Sequence, residues 1–460
     1  MASVMRRVLN VAMGVALLAG MSVGLAPASE AVVVDGSGVA EWQAQRPADG
    51  APTPVARTSL RGLVLGRKDG RIVRVSGAHV GTGETSIQTN ANGRFYLAAA
   101  ARTNSVSVVA PGYEVKRLTP TGRYLVVFLQ PLEVRAIYIP FGELKRQEVL
   151  DWALGLARNS TITSLVIDVK DEGGSVLPQV ATQTAREIGA VHDPGTDIEA
   201  FLTELEDLGV YRIARVVAFL DGRFAYSFPS EAILTAAGEI FVDDIGFVWT
   251  NPFSEAVRRH NVEVGVAATA WFEEIQYDYV RFPTDPGVVV RNNATPEQRS
   301  AVITQFAQDA SIAIHAAGSA IAIDTFGQTT MIFHDGGIGQ VLEDLAPFLD
   351  YYSPMVYPST WTTGWFDLVY PPSDPFRVVA RSVAQAVERL APFDIVVRPW
   401  LQDFHDYQAQ KLFYGPAQVR VQIDASAQAG GSGFMLWDPS LNYQTGVLSE
   451  LEAALPAVAR

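Results

Sequence analysis

The sequence predicts a (β/α)8 TIM barrel preceded by a small N-terminal all-β sandwich. Eight strand candidates, mostly alternating with helical patterns, lie in residues 133–460, and such alternation is typical of a parallel sheet. Most of these strands end in polar residues, as barrel strands do at an active site. Residues 58–132 contain short β-rich runs separated by turns, which indicates the sandwich. A doubly wound open sheet is the alternative for residues 133–460.

Residues 1–28 have the pattern of a secretory signal peptide. Arg6 and Arg7 precede an apolar run, and residues 26–28 (Ala-Pro-Ala) form a small-residue cleavage site. We therefore expect an exported protein, secreted or associated with the cell envelope, that meets the membrane only through this segment. An uncleaved anchor is the alternative. Residues 29–57, rich in alanine, glycine and proline, are predicted to be a linker.

The composition excludes several classes of protein. The 460-residue chain has a formal net charge of −14, whereas nucleic-acid-binding proteins normally present a basic face, so we expect no nucleic-acid partner. The absence of cysteine excludes disulfides, iron–sulfur clusters and thiolate zinc sites. The six histidines are scattered, and no H-E-x-x-H, G-x-S-x-G or Walker motif occurs. We predict no cofactor and no metal site, although loop carboxylates leave a Ca²⁺ site open.

The segment that follows the linker resembles a known module. Gly77–Val80, Thr89–Phe95 and Ala110–Tyr113 are marks of the carboxypeptidase regulatory-like family, and the resemblance covers most of residues 58–132. The resemblance implies an accessory β-sandwich. Such a module is either a structural spacer or a means of attachment to a surface or a carbohydrate.

Eight segments of the predicted barrel have the character of strands. They are residues 134–140, 162–174, 212–222, 273–283, 320–327, 350–359, 394–404 and 433–440. Capping boxes at Thr196–Glu199 and Thr295–Gln298 mark the starts of two helices, the second with proline at the first helical position. The predicted barrel domain extends over residues 133–460.

The fourth strand carries polar residues where a buried strand normally has apolar ones. Glu274, Gln276 and Asp278 share one face, because strand side chains alternate. The carboxyl ends of barrel strands meet at one end, so we expect a shared polar cleft in which Asp168 and Lys170 also share a face. The predicted substrate-binding residues are Asp168, Lys170, Arg215, Gln276, Arg281, Tyr357, Arg398, Trp400, Gln402 and Trp437.

Carboxylates and aromatic rings in one cleft are typical of a glycan site. Aromatic faces stack on sugar rings, and paired carboxyl groups supply the acid and the base or nucleophile for glycosidic cleavage. Asp278 and Asp324 lie on neighbouring predicted strands, so we expect the separation of about 5–9.5 Å that glycosidases use. We predict both as catalytic residues, with Arg281 or Lys170 keeping one of them ionised. Asp168 is the alternative candidate for a catalytic carboxylate. The alternative is that these acids form buried ion pairs and strand-end caps.

Residues 134–445 resemble a bacterial family described as putative glycosyl hydrolase domains. The matching stretches follow the order expected for that family and include LVIDVKDEGG, EIQYDYVRFPTD, RPWLQDF and FMLWDPSLNY. The resemblance implies a TIM barrel and, by analogy with other glycosidases, polysaccharide hydrolysis. Analogy with amylase-type barrels further implies that Asp278 is the nucleophile and Asp324 the acid/base.

The chain departs from the family pattern at three places. Residues 271–273 (Trp-Phe-Glu) replace Gly-Phe-Asp, Thr360 replaces a histidine, and Asp438 replaces an asparagine. These changes leave the predicted carboxylates intact and bear on substrate preference. Val280 stands where chitinase-type barrels carry their catalytic glutamate, so we do not expect their substrate-assisted mechanism.

The sequence therefore favours an exported glycoside hydrolase that acts on a polysaccharide or oligosaccharide of the cell wall or extracellular space. The first alternative is a non-catalytic glycan-binding envelope protein that uses the same cleft, and the histidine replaced by Thr360 favours it. The second alternative is a structural envelope protein attached through its sandwich.

Overall fold

The structure, a computed structural model, describes residues 59–97, 105–284 and 294–449. The predicted signal peptide and linker lie outside these residues. Within the described part of the chain, no helix is long and apolar enough to cross a membrane.

The N-terminal part of the described chain contains two four-stranded sheets. Its strands are β1 (Leu60–Lys68), β2 (Arg71–Arg74), β3 (His79–Gly81), β4 (Ser86–Gln88), β5 (Arg94–Leu97), β6 (Val106–Val109), β7 (Lys116–Leu118) and β8 (Tyr124–Leu129). One sheet has the order β2-β1-β5 with β8 beside β1, and the other has the order β4-β3-β6-β7. Both sheets contribute to one apolar cluster that includes Val64, Phe95 and Val108. We call this part the β unit; its membership of the carboxypeptidase regulatory-like family stays a prediction.

The rest of the described chain contains a closed barrel of eight parallel strands. They are β9 (Arg135–Ile139), β10 (Ser164–Lys170), β11 (Tyr211–Val217), β12 (Glu274–Asp278), β13 (Ala320–Phe326), β14 (Tyr351–Met355), a seventh in two pieces, β15 (Val396–Val397) and β16 (Trp400–Gln402), and β17 (Phe434–Trp437). β17 pairs with β9, which confirms the predicted barrel and excludes an open sheet. Pro399 divides the seventh strand, because proline has no backbone N–H for the ladder.

Helices connect the strands of the barrel. They are α1 (Gln147–Asn159), α2 (Gln183–Glu187), α3 (Ile198–Asp207), α4 (Gly222–Ser227), α5 (Glu255–Ala268), α6 (Pro296–Ala317), α7 (Leu342–Leu345), α8 (Pro375–Leu390) and α9 (Pro416–Gln428). The capping box predicted between Thr295 and Gln298 is confirmed at the start of α6. The box predicted at Thr196 is wrong, because α3 starts one residue later and Asp197 caps it by accepting from the Ala200 N–H at 3.0 Å.

The polar side chains of β12 face the barrel interior, as their alternation predicts. Tyr277 points outward, where its ring packs edge-on against Phe306 of α6 with centroids 5.1 Å apart. The strand is shorter than predicted and ends at Asp278. Tyr279 has a φ of 54°, a left-handed conformation that cannot continue a strand.

The β unit contacts the chain at the N-terminal ends of two barrel strands. Arg117 of β7 donates to the carbonyl oxygens of Thr269 and Phe272 at 3.1 and 3.0 Å. It also donates to the Ser319 hydroxyl at 3.0 Å. Phe272 lies two residues before the start of β12, and Ser319 lies directly before β13. The β unit therefore lies at the end of the barrel opposite to the carboxyl ends, where side chains serve stability more than chemistry.

A histidine pair in this interface should make stability depend on pH. His79 of β3 stacks on His315 of α6 with centroids 3.5 Å apart, and His315 Nε2 lies 2.8 Å from Asp350 Oδ2. Burial, followed by the neighbouring His315, lowers the pKa of His79 from 6.5 to about 4. The folded protein therefore resists protonation of His79 more than the unfolded chain does. Its free energy of unfolding should decrease as the pH falls from 6.5 to about 4.

Urea unfolding across this pH range measures the effect. Burial also lowers the pKa of His260 to about 4, so the useful comparison is the variant His79→Asn, which keeps His260. We expect the variant to lose less stability on acidification, by up to about 1.4 kcal/mol for each unit of the removed pKa shift. An identical pH dependence in the two proteins would contradict the role of His79.

Candidate active site

A buried arginine at the carboxyl end of β11 binds three carboxyl groups. Arg215 donates to Asp168 Oδ1 at 2.7 Å and to Glu172 Oε1 at 3.0 Å. Two of its nitrogens donate to Asp278 Oδ2, at 2.6 and 3.1 Å. The side chain of Arg215 is 1% exposed. One cation thus holds together the ends of β10 and β12 and the turn that follows β10.

Two aromatic rings enclose the Arg215 guanidinium. Tyr138 of β9 and Trp437 of β17 stack with centroids 4.2 Å apart. The guanidinium carbon lies 5.3 and 5.2 Å from the two ring centroids, in the range of stabilising cation–π contacts. Trp437 is only partly buried, so its ring adds an exposed aromatic surface of the kind that sugars stack on.

Asp168 is enclosed by protein donors. Arg215 occupies one of its oxygens, and the other accepts from the Tyr138 hydroxyl at 2.6 Å and the Phe141 N–H at 3.1 Å. Burial, opposed by the Arg215 charge, raises the pKa of Asp168 to about 7. This environment favours a role in holding Arg215 and Tyr138 in place.

Asp278 is the more accessible of the two predicted catalytic residues. Its side chain is 8% exposed. Oδ2 accepts from Arg215, and Oδ1 accepts from the Tyr279 N–H at 2.6 Å. The left-handed conformation of Tyr279 costs about 1–3 kcal/mol in a non-glycine residue, and such strain is concentrated at functional sites.

Asp324 lies on the adjacent strand, β13. Its Oδ1 accepts from Gln276 Nε2 at 2.6 Å and from Trp400 Nε1 at 2.7 Å. Its Oδ2 is buried and has no hydrogen-bond partner among the described residues. Burial, followed by the charge of Asp278, raises the pKa of Asp324 well above its usual range. The surroundings of Asp324 therefore disfavour its ionised form.

Tyr357 and Trp400 complete this cluster. The Trp400 ring lies edge-on to Trp437, with centroids 5.4 Å apart. Burial, followed by the charges of Asp324 and Asp278, raises the pKa of Tyr357 well above its usual value, so Tyr357 lies near both acids. The predicted residues that the structure brings together are Asp168, Arg215, Gln276, Asp278, Asp324, Tyr357, Trp400 and Trp437.

The structure does not bring Lys170 to Asp168. The register between β10 and β11 shifts after Asp168, which pairs with Arg215, whereas Lys170 pairs with Val216. A one-residue shift turns a side chain to the opposite face of a strand. Lys170 Nζ accordingly lies 2.8 Å from Asp221 Oδ2, and the expectation that Asp168 and Lys170 share a face is wrong.

Arg398 lies at the opposite end of the barrel interior, beside the start of β12. Both of its terminal nitrogens donate to the Glu274 carboxylate, and neither side chain is exposed. Its guanidinium carbon lies 4.2 Å from the centroid of the Tyr351 ring. This closed ion pair favours a structural role for Arg398.

Two further predicted residues border the cluster. Arg281, in the loop after β12, has its guanidinium carbon 4.6 Å from the ring centroids of Trp249 and Phe326 and 5.0 Å from that of Tyr279. Gln402 is bound to protein groups, since its amide donates to the Ser359 hydroxyl at 2.8 Å and its oxygen accepts from the Ser359 N–H at 3.0 Å. These contacts indicate that Arg281 and Gln402 support neighbouring loops.

Two residues of the cluster were not predicted from the sequence. Tyr138 is the inward-facing residue near the end of the first barrel strand, at a position that the alternation could have indicated. Glu172 lies in the turn after β10, beside the acid Asp171, and no periodic pattern distinguishes the two.

The comparisons with known proteins agree with this architecture. Residues 136–443 match a family described as a putative glycosyl hydrolase domain; the match spans more than half of the 460 residues, and the chain belongs to this family. No curated protein matches the chain.

Solved structures also resemble the chain. The glycoside hydrolase domain of PgaB (BpsB) from Bordetella bronchiseptica is 13% identical, with 69% of this chain and 99% of that domain covered and a TM-score of 0.50. The endo-1,4-beta-D-mannanase from Thermotoga petrophila is 13% identical, with coverages of 66% and 88% and a TM-score of 0.46. A hypothetical protein from Ruminiclostridium thermocellum is 25% identical, with coverages of 41% and 96% and a TM-score of 0.37. The likeness to the PgaB domain shows a shared fold.

Breaking the ion pair between Arg398 and Glu274 should destabilise the barrel. In Arg398→Met the Glu274 carboxylate loses its partner while buried, so we expect the free energy of unfolding to fall by about 3–5 kcal/mol. Chemical unfolding measures this change. The double variant Arg398→Met, Glu274→Leu removes both charges and should recover most of the loss. A single variant as stable as the wild type would contradict a structural role.

Proposed function

We propose that this protein is an exported glycoside hydrolase that cleaves glycosidic bonds of a cell-wall or extracellular polysaccharide by a two-carboxylate mechanism. Family membership supports an enzyme that acts on glycans. The observation that carries the mechanism is the pairing, on adjacent strands, of Asp278, bound to a guanidinium, with Asp324, whose pKa burial raises. Export rests on the sequence pattern of residues 1–28.

The surroundings of these two carboxyl groups match the two chemical tasks. Asp278 Oδ2 accepts two hydrogen bonds from the Arg215 guanidinium, which hold it in place as a nucleophile or base. Burial raises the pKa of Asp324, the direction that a general acid needs. Glycosidic cleavage requires one carboxyl group of each kind.

The aromatic residues support a sugar as the substrate. Trp437 and Trp400 stand edge to face, and Tyr138 lies under Trp437. A partly exposed tryptophan face beside carboxylates can bind the apolar face of a sugar ring while the acids reach its polar substituents. Such a surface supports glycan binding at the carboxyl end of the barrel.

Two carboxyl groups lie beside Asp278, and each has one property that the second catalytic carboxyl group needs. Asp324, the partner assigned from the sequence, has a pKa that burial raises but is only 1% exposed. Glu172 contacts the same Arg215 nitrogen as Asp278, and 21% of its side chain is exposed. The second carboxyl group of the mechanism is one of these two.

Asp278→Asn should abolish hydrolysis, because an amide neither attacks an anomeric carbon nor accepts a proton there. We expect a loss of at least about 10²–10⁴-fold. The measurement is reducing-sugar release by residues 29–460 from a panel of bacterial wall polysaccharides and exopolysaccharides. Asp309→Asn, at an exposed acid of α6, is the matched control and should keep full activity.

The same assay separates the competing functions. Full activity in Asp278→Asn would remove Asp278 from the mechanism while keeping the hydrolase. No release by the wild type, together with binding to one polysaccharide that depends on Asp278, would indicate a glycan-binding protein.

A further inference from the structure

Glu172 is the most accessible carboxyl group of the Arg215 cluster. Its side chain is 21% exposed, compared with 8% for Asp278 and 1% for Asp168. Asp324 is 1% exposed, and its unpartnered oxygen is buried. A proton donor must come within hydrogen-bond distance of the glycosidic oxygen. Of the two partners available to Asp278, Glu172 already lies where a substrate can touch it.

Glu172 and Asp278 contact the same atom. Arg215 Nη2 lies 3.0 Å from Glu172 Oε1 and 2.6 Å from Asp278 Oδ2. The two oxygens cannot be further apart than these two distances added together. The two nearest oxygens are thus closer together than the about 6.5–9.5 Å between the carboxyl groups of inverting enzymes, and the limit allows the about 5–5.5 Å of retaining enzymes.

Hydrogen bonds within its own turn hold Glu172 in place. Asp171 Oδ1 accepts from the Gly173 N–H at 3.0 Å and from the Ser175 N–H at 2.6 Å. An aspartate that binds the backbone two and four residues ahead closes a tight turn. Glu172 lies inside this turn, so its backbone position is set before any substrate binds.

The other side of the turn packs against a buried ion pair. Gly174 has a φ of 88°, and a Cβ at this position would lie 2.0 Å from Asp221 Oδ1. Asp221 in turn is bound by Lys170 Nζ at 2.8 Å. Lys170, which does not face the cleft, therefore supports the turn that carries Glu172. Such support restrains the loop that carries Glu172, as a preorganised site requires.

We propose that Glu172 is a catalytic residue, the acid/base that acts opposite the nucleophile Asp278 in a retaining mechanism. The proposal rests on the hydrolase function proposed above and deepens it by naming the second carboxyl group and the stereochemical outcome. Asp324 is then a positioning residue, which accepts from Gln276 and Trp400 beside Asp278.

The mechanism has two steps. In the first, an Asp278 oxygen bonds to the anomeric carbon, the bond from that carbon to the leaving oxygen breaks with its electron pair, and the leaving oxygen takes the proton of Glu172. In the second, a water oxygen bonds to the anomeric carbon, a water proton passes to the Glu172 carboxylate, and Asp278 departs with the electron pair of its bond. The sugar is released with its original anomeric configuration.

The variant Glu172→Gln tests this assignment on the polysaccharide that the wild type hydrolyses. Glutamine cannot donate or accept the proton, so we expect at least a hundredfold loss of reducing-sugar release, of the size typical for an acid/base (about 10²–10⁴-fold). On an aryl glycoside whose leaving group departs without protonation, sodium azide should restore turnover of Glu172→Gln and yield a glycosyl azide, because azide attacks the glycosyl–Asp278 intermediate without a base. Glu187→Gln, at an exposed glutamate of α2, is the control and should keep wild-type activity.

Product analysis by NMR gives an independent readout, and retention of the anomeric configuration is expected. Activity of Glu172→Gln within about twofold of the wild type, with Asp278→Asn inactive, would overturn the role of Glu172 and keep the proposed function. Loss of activity with no azide rescue on the aryl glycoside, or an inverted product, would also overturn it. A wild type that hydrolyses no polysaccharide would overturn both proposals.

Discussion

A buried guanidinium requires charged partners, and Arg215 draws its partners from several parts of the barrel. Taking a cation out of water costs several kcal/mol unless hydrogen-bonded carboxylates compensate for it. Here Asp168, Glu172 and Asp278 provide that compensation, and the ring faces of Tyr138 and Trp437 enclose the remaining surface. Because these side chains belong to different strands and a turn, the arginine determines their relative positions. A change in any one of them alters the charge balance of the others.

Polar side chains occupy the barrel interior at successive depths, although such interiors are usually apolar. At the start of β12, Glu274 forms a closed ion pair with Arg398. Two residues further along the strand, Gln276 donates to Asp324. At the end of the strand, Asp278 meets Arg215 and retains some exposure. The deepest pair therefore serves stability, and access to solvent increases toward the carboxyl end.

The β unit contributes to the barrel at the other end. Arg117 binds backbone oxygens just before β12, and the His79 ring stacks on His315 at the end of α6. These contacts leave the carboxyl ends of the strands free of the β unit. This placement agrees with an accessory role, because the unit can stabilise the barrel without shaping the cleft.

The sequence by itself determined the barrel and the inward polar face of β12. The order of strands and helices along the chain, and the alternation of polar and apolar residues within a strand, are both local patterns. It also identified Asp278, Arg215 and Trp437 as members of one cleft, since polar strand ends meet in a barrel. Only the tertiary structure decided which side chains bind to one another. The register shift in β10 directs Lys170 away from the cleft. Arg398 forms an ion pair with Glu274 deep in the interior. Arg215 binds both Glu172 and Asp278. These outcomes depend on the register between strands and on distances across the barrel, which no local pattern specifies.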